Sequence, residues 1–113
     1  MAIKRSDTKN IVVVPSCTGT KDLSLWDIKA KYREQGVGQI GSHYVVLRDG
    51  DVEKGRPVDE HGNVEQLYNR DSVFIEVLCS TDEEMTEAQR VSVHGLVSYL
   101  EDKYEAEELN LIN

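Results

Sequence analysis

The chain is poor in the residues that brace small secreted proteins. It has two cysteines, Cys17 and Cys79, two prolines, one tryptophan and one phenylalanine, and no apolar run exceeds four residues. Two cysteines do not make a disulfide framework. The basic start, Lys4-Arg5, has no apolar stretch behind it, so it does not read as a secretory signal. The expectation is a cytosolic protein with reduced thiols, with Cys79 a small buried hydrophobe at the end of an apolar run. A membrane-spanning helix needs about 20 apolar residues, and none is expected.

What is present reads as one globular domain. The 113 residues are 39% hydrophobic and 30% charged, enough apolar content for a core and too much for a disordered chain. The net charge of −8 is uneven: residues 1–80 carry 11 basic against 12 acidic side chains, and residues 81–113 carry 2 against 9. A nucleic-acid binder shows a basic stripe. Here Lys29, Lys31 and Arg33 are diluted by Asp27 and Glu34, and no DNA partner is expected. The acidic end, with Glu101, Asp102, Glu105 and Glu108, reads as a solvated face or as a surface for a basic protein partner.

Local patterns place the elements. Residues 1–9 are polar and read as a loose arm before a domain over 10–113. Ile11–Val14 is a β-branched run and predicts a buried strand stopped by Pro15. Ser24 caps a predicted helix over 25–35 with Leu25, Ile28 and Tyr32 on one face. Residues 43–48 and 51–55 flank Asp49-Gly50, a hairpin signal. Residues 72–79 form another strand, with Glu76 an acid among apolar neighbours. Thr86 and Gln89 make a capping box for a last helix bearing the stripe Val93, Val97, Leu100 and Tyr104. The tail Leu109–Asn113 can begin a further strand. The fold class is mixed α/β (α+β), a small mixed sheet with two packed helices.

Gly41-Ser42-His43-Tyr44-Val45-Val46-Leu47-Arg48-Asp49-Gly50-Asp51-Val52-Glu53-Lys54-Gly55-Arg56 resembles the hairpin of zinc-dependent N-acetylmuramoyl-L-alanine amidases, in the phage lysozyme and peptidoglycan-recognition branch. Five further pieces agree in order: Ile11–Ser16 with the first strand, Tyr32–Gly36 with the end of the first helix, Tyr68–Val73 with the entry to the central strand, Met85–Gln89 with the start of the last helix, and Lys103–Glu105 with that helix's end. The resemblance implies an amidase-like fold over about 10–112, with the last part of the family fold outside the chain. It also implies a zinc held by two His and a Cys or Asp. The place of the first His is Val14 and that of the second about Ile112; neither side chain has a lone pair to give zinc. The family tyrosine before His43 is Ser42. His43 and Glu76 survive, Glu76 where many members carry an acid used in catalysis or positioning.

Three functions follow as expectations. The first is a non-catalytic, phage-encoded binding protein in the host cytoplasm, without metal or cofactor, that inhibits a polymerase, a host enzyme or a defence protein. The second is a ligand-capture module holding a muropeptide or small nucleotide signal in a vestigial cleft of Val14, Ser42, His43, Glu76 and Ile112, with Arg48, Arg56 and Arg70 as anion contacts. The third is a working amidase with an atypical metal site. His61 reads as a loop residue and His94 as a helix-flank residue.

Overall fold

The computed structural model describes residues 3–36 and 38–113. Its strands are β1 (Asn10–Pro15), β2 (Tyr44–Val46), β3 (Val52–Lys54), β4 (Ser72–Val77) and β5 (Glu107–Asn110), and its helices are α1 (Leu25–Glu34) and α2 (Glu87–Tyr104). They form one five-stranded sheet in the order β3-β2-β4-β1-β5. All neighbours run parallel except the β2–β3 hairpin. No helix among the described residues is long and apolar enough to cross a membrane.

The local signals act as their chemistry requires. Ser24 accepts from the Asp27 amide while Asp27 reaches back to Ser24, and Thr86 and Gln89 do the same for α2. Strand side chains alternate between faces, so β1, β2 and β4 each feed cores on both faces of the sheet. Ile11, Val13, Val73, Ile75, Val77 and Cys79 face α2, where Val93, Val97 and Leu100 meet them. The opposite face carries Val12, Val14 and Phe74 in one cluster, and Val45 and Leu78 beside Ile28 of α1 in another. Glu76 lies on this second face, paired in register with Val14 of β1 and Val45 of β2.

Three expectations need correction. The arm at 1–9 is not loose where described: Lys4 bridges to Glu60, the Arg5 amide donates to Asp59 O, and the His61 amide donates to Ile3 O. Met1 and Ala2 lie outside the described residues. The tail strand begins at Glu107, two residues earlier than expected, and pairs in parallel with β1. Ile112 was expected in the cleft with Val14. The Leu111 amide instead donates to Val13 O, so Leu111 continues the β5 alternation onto Val14's face, where it packs. Ile112 turns to the α2 core. A one-residue slip reverses the face of a strand side chain.

Candidate functional site

Three elements converge on Glu76. Its carboxylate sits at the C-terminal part of the central strand, 3% exposed. The Tyr32 hydroxyl, at the end of α1, donates to Glu76 Oε1 at 2.7 Å, and the Ser42 hydroxyl, just before β2, donates to the same oxygen at 3.1 Å. With two donors on Oε1, Oε2 is the oxygen left for a ligand. Burial and the facing carboxylate push the Tyr32 phenol far above its usual range, so it stays protonated as a donor.

A cleft of about 510 Å3 opens onto this group. Val14, Val64 and Pro15 give it an apolar wall; Lys31, Gln35, Asn63 and Cys17 give it a polar rim. The rim is held by backbone geometry. Asn69 Oδ1 accepts from the Val64 and Glu65 amides, and the Asn63 amide donates to Gly41 O. A Cβ on Gly41 would lie 2.1 Å from Asn63 O, so only glycine lets the two segments close.

The structure brings Val14, Ser42 and Glu76 together and sends the other expected cleft residues elsewhere. His43 does not face Glu76. Its Nδ1 accepts from the Phe74 amide at 2.9 Å and its Nε2 donates to Glu60 O at 2.8 Å. That fixes a neutral tautomer. Burial lowers its pKa to about 4. Its ring stacks on Phe74, so it is a structural clasp between β2, β4 and the Glu60 loop. Ile112, as above, is in the α2 core.

Two of the expected anion contacts are spent on carbonyls. Arg48 Nη1 donates to Leu78 O, Glu84 O and Gln89 Oε1. Arg56 donates to Ile40 O and His61 O. Both side chains thus tie loops of the fold together, Arg48 through Nη1 and Arg56 through Nε and Nη1. Arg70 is exposed and lines a separate depression with Ile3, His61 and Asn69. Glu101, Asp102, Glu105 and Glu108 are all exposed on α2, its end and the edge strand.

Sequence reasoning missed Tyr32 as a site residue. Its place in the Leu25, Ile28, Tyr32 stripe reads as core, and its ring does pack there. The signal was the polar tip: a buried phenol needs an acceptor, and Glu76 was the one unexplained acid in a strand.

The sequence model of N-acetylmuramoyl-L-alanine amidases matches residues 6–112. The endolysin of Klebsiella phage KP32 is 32% identical over 108 residues, covering 89% of this chain and 72% of the relative. The endolysin of Escherichia phage T7 is 31% identical over 111 residues, covering 90% and 72%. Among solved structures, the amidase LysC from Clostridium intestinale URNW superposes with a TM-score of 0.80 at 24% identity, covering 90% of this chain and 70% of that one. Peptidoglycan recognition protein-LE, solved with a monomeric diaminopimelic acid-type peptidoglycan, superposes at 0.76 with 16% identity, covering 96% and 71%. These relatives overturn the first expectation. A chain matched to an amidase model, with relatives named endolysins, does not read as a non-catalytic inhibitor of a polymerase or of host defence, and the pseudoenzyme reading falls with it.

Proposed function

The chain belongs to the N-acetylmuramoyl-L-alanine amidase family, and we propose that it is directed at peptidoglycan, taking the junction between the muramoyl group and its peptide stem into the cleft beside Glu76. The observation that carries this is the Glu76 group itself: a carboxylate fixed through one oxygen at the floor of a cleft, between an apolar wall and a polar rim. An amide junction presents N–H donors and carbonyl acceptors beside small apolar groups. Glu76 Oε2 accepts from an N–H, the Asn63 and Gln35 side-chain amides and the two remaining N–H groups of the Lys31 ammonium, whose third donates to Ser16 O, suit carbonyl and carboxylate oxygens, and Val14 and Val64 take a methyl group. The solved complex of a fold relative with a peptidoglycan fragment supports the ligand class.

A second reading, hydrolysis of that junction, is favoured by the endolysin relatives. In it Glu76 takes a proton from the attacking water as the oxygen adds to the carbonyl carbon. It returns the proton to the leaving nitrogen as the C–N bond breaks. Tyr32 and Ser42 keep the carboxylate aimed.

The test is incubation with purified peptidoglycan, scored by co-sedimentation and by mass spectrometry of released stem peptides. The expected result is retention of the protein on the wall material, weakened by Glu76→Gln. Released peptides that vanish in the same variant establish hydrolysis. Absence of both retention and release overturns the proposal.

A further inference from the structure

We infer that this cleft works without a transition metal, its carboxylate being oriented by the Tyr32 and Ser42 hydroxyls and presented to an N–H donor of the ligand. The identity of that ligand rests on the peptidoglycan reading; the metal statement does not.

Zinc in proteins is held by three or four N, S or O donors at about 2.0–2.3 Å. The row across the sheet at this level holds Val45, Glu76 and Val14, with Leu111 on the same face beyond. Only Glu76 in that row has a donor atom. Of the rim, only Cys17 adds a residue type that binds zinc readily. No group of three or more His, Cys, Asp or Glu side chains is gathered anywhere among the described residues. The histidines do not make up the shortfall. Both nitrogens of His43 are engaged with the backbone, His61 lies by the N-terminal segment, and His94 is on α2, across the sheet. The residues present therefore do not fit the zinc that the family resemblance implies.

What stands there instead is a different way of fixing a carboxylate. A metal-ligating carboxylate is aimed by its cation. Glu76 is aimed by two neutral donors on one oxygen, one from α1 and one from the β2 approach. The two donors come from separate elements, so the carboxylate is fixed by the tertiary fold and is ready before any ligand arrives. A buried carboxylate with one oxygen unsatisfied favours a hydrogen-bond donor over an acceptor. That selects an amide N–H or an ammonium and rejects a phosphate.

The experiment uses the full chain and a soluble probe, N-acetylmuramoyl-L-alanyl-D-isoglutamine, in calorimetric titrations with and without EDTA. Zinc content is measured after zinc loading and desalting. The expected results are less than a tenth of a zinc per chain and probe affinity unchanged by EDTA. Tyr32→Phe and Ser42→Ala are expected to lower affinity by about tenfold each, as the loss of one hydrogen bond to a charged group does. Their melting temperatures, and an NMR spectrum with the fold's dispersion, separate lost aim from lost fold. A downfield hydroxyl proton resonance, lost in Tyr32→Phe and shifted by the probe, is the mark of the Tyr32–Glu76 bond. One zinc per chain, or binding abolished by EDTA, overturns the inference. So does wild-type affinity in both hydroxyl variants. If the probe fails to bind at all, the peptidoglycan reading fails, while zinc loading and the hydroxyl resonance still decide the metal-free arrangement.

Discussion

Two of the polar side chains buried among the described residues, Gln89 and Glu76, are built to opposite ends. Gln89 is fully buried at the start of α2. Its Oε1 accepts from the Thr86 amide and from Arg48, and its Nε2 donates to Leu78 O. Arg48 also donates to Glu84 O, and the Thr86 hydroxyl donates to Arg48 O. Almost every partner is backbone, so the cluster is closed and ties the β2–β3 hairpin, the end of β4 and α2 together. Glu76 is as buried, yet its hydrogen bonds fall on one oxygen and come from side chains, while a cleft opens beside it. A buried polar group satisfied by carbonyls is architecture; one left half satisfied beside a cleft is available for recognition.

His43 belongs to the closed kind and gives the largest expected effect. Its pKa is held near 4 by burial, against about 6.5 when unfolded. Between these values the unfolded chain binds the proton and the native chain does not, so stability is full above pH 6.5 and falls as pH drops towards 4. Over that window the loss attributable to His43 is up to about 3 kcal/mol. Urea unfolding from pH 7 to 4.5 measures it, with His43→Gln as the reference. An equal pH slope in the two proteins would place His43 among open groups and break the distinction.

Arg48→Met comes next. It leaves Glu84 O without its donor and weakens the bonds at Gln89, which is expected to cost about 2 kcal/mol. Muropeptide affinity should not change, since Arg48 is on the closed side. Denaturant midpoints and probe titration read the two quantities separately. A loss of affinity with intact stability would return Arg48 to the ligand contacts.

Glu76→Gln inverts that pattern. The amide can still accept from Tyr32 and Ser42 through its oxygen, so stability should move by less than about 1 kcal/mol. Probe affinity should fall by tenfold or more as the free carboxylate oxygen is lost. A stability loss above about 3 kcal/mol with unchanged affinity would make Glu76 a structural ion instead.

The sequence made some of this legible and hid the rest for physical reasons. Helix caps at Ser24 and Thr86, the hairpin at Asp49-Gly50 and the alternation in β4 are local, and each sits where local chemistry puts it. Glu76 stood out because an acid in an apolar strand asks for a partner. Its partner Tyr32 was hidden because ring and hydroxyl serve different surroundings, and periodicity sees only the ring. Arg48 read as an anion contact because sequence does not show which carbonyls a fold leaves unpaired. Ile112 was placed in the cleft because the register of a parallel edge strand depends on a pairing about a hundred residues away in sequence, and a one-residue difference exchanges Ile112 for Leu111.

The smallest effect is expected at the acidic end, which lies outside both clusters. Glu101 and Asp102 are in the last turns of α2, Glu105 is its left-handed cap residue, and Glu108 is on the edge strand; all four are exposed. Carboxylates at a helix C-terminus face the negative end of the helix dipole, so their present placement is mildly unfavourable. Reversing the four to lysine is expected to stabilise the fold by about 0.5–1 kcal/mol at low salt, and by less as salt screens the field. Each reversal adds two charges, so the variant is neutral overall where the native chain carries −8. Its solubility should therefore fall even as its melting temperature rises. Muropeptide affinity should stay the same, because α2 packs on the sheet face opposite Glu76. Thermal melts at two salt concentrations and one probe titration check all three statements. If affinity falls and becomes salt-dependent, the acidic end contributes to ligand capture through its long-range field, and the boundary between the recognising face and the inert one must be moved to include it.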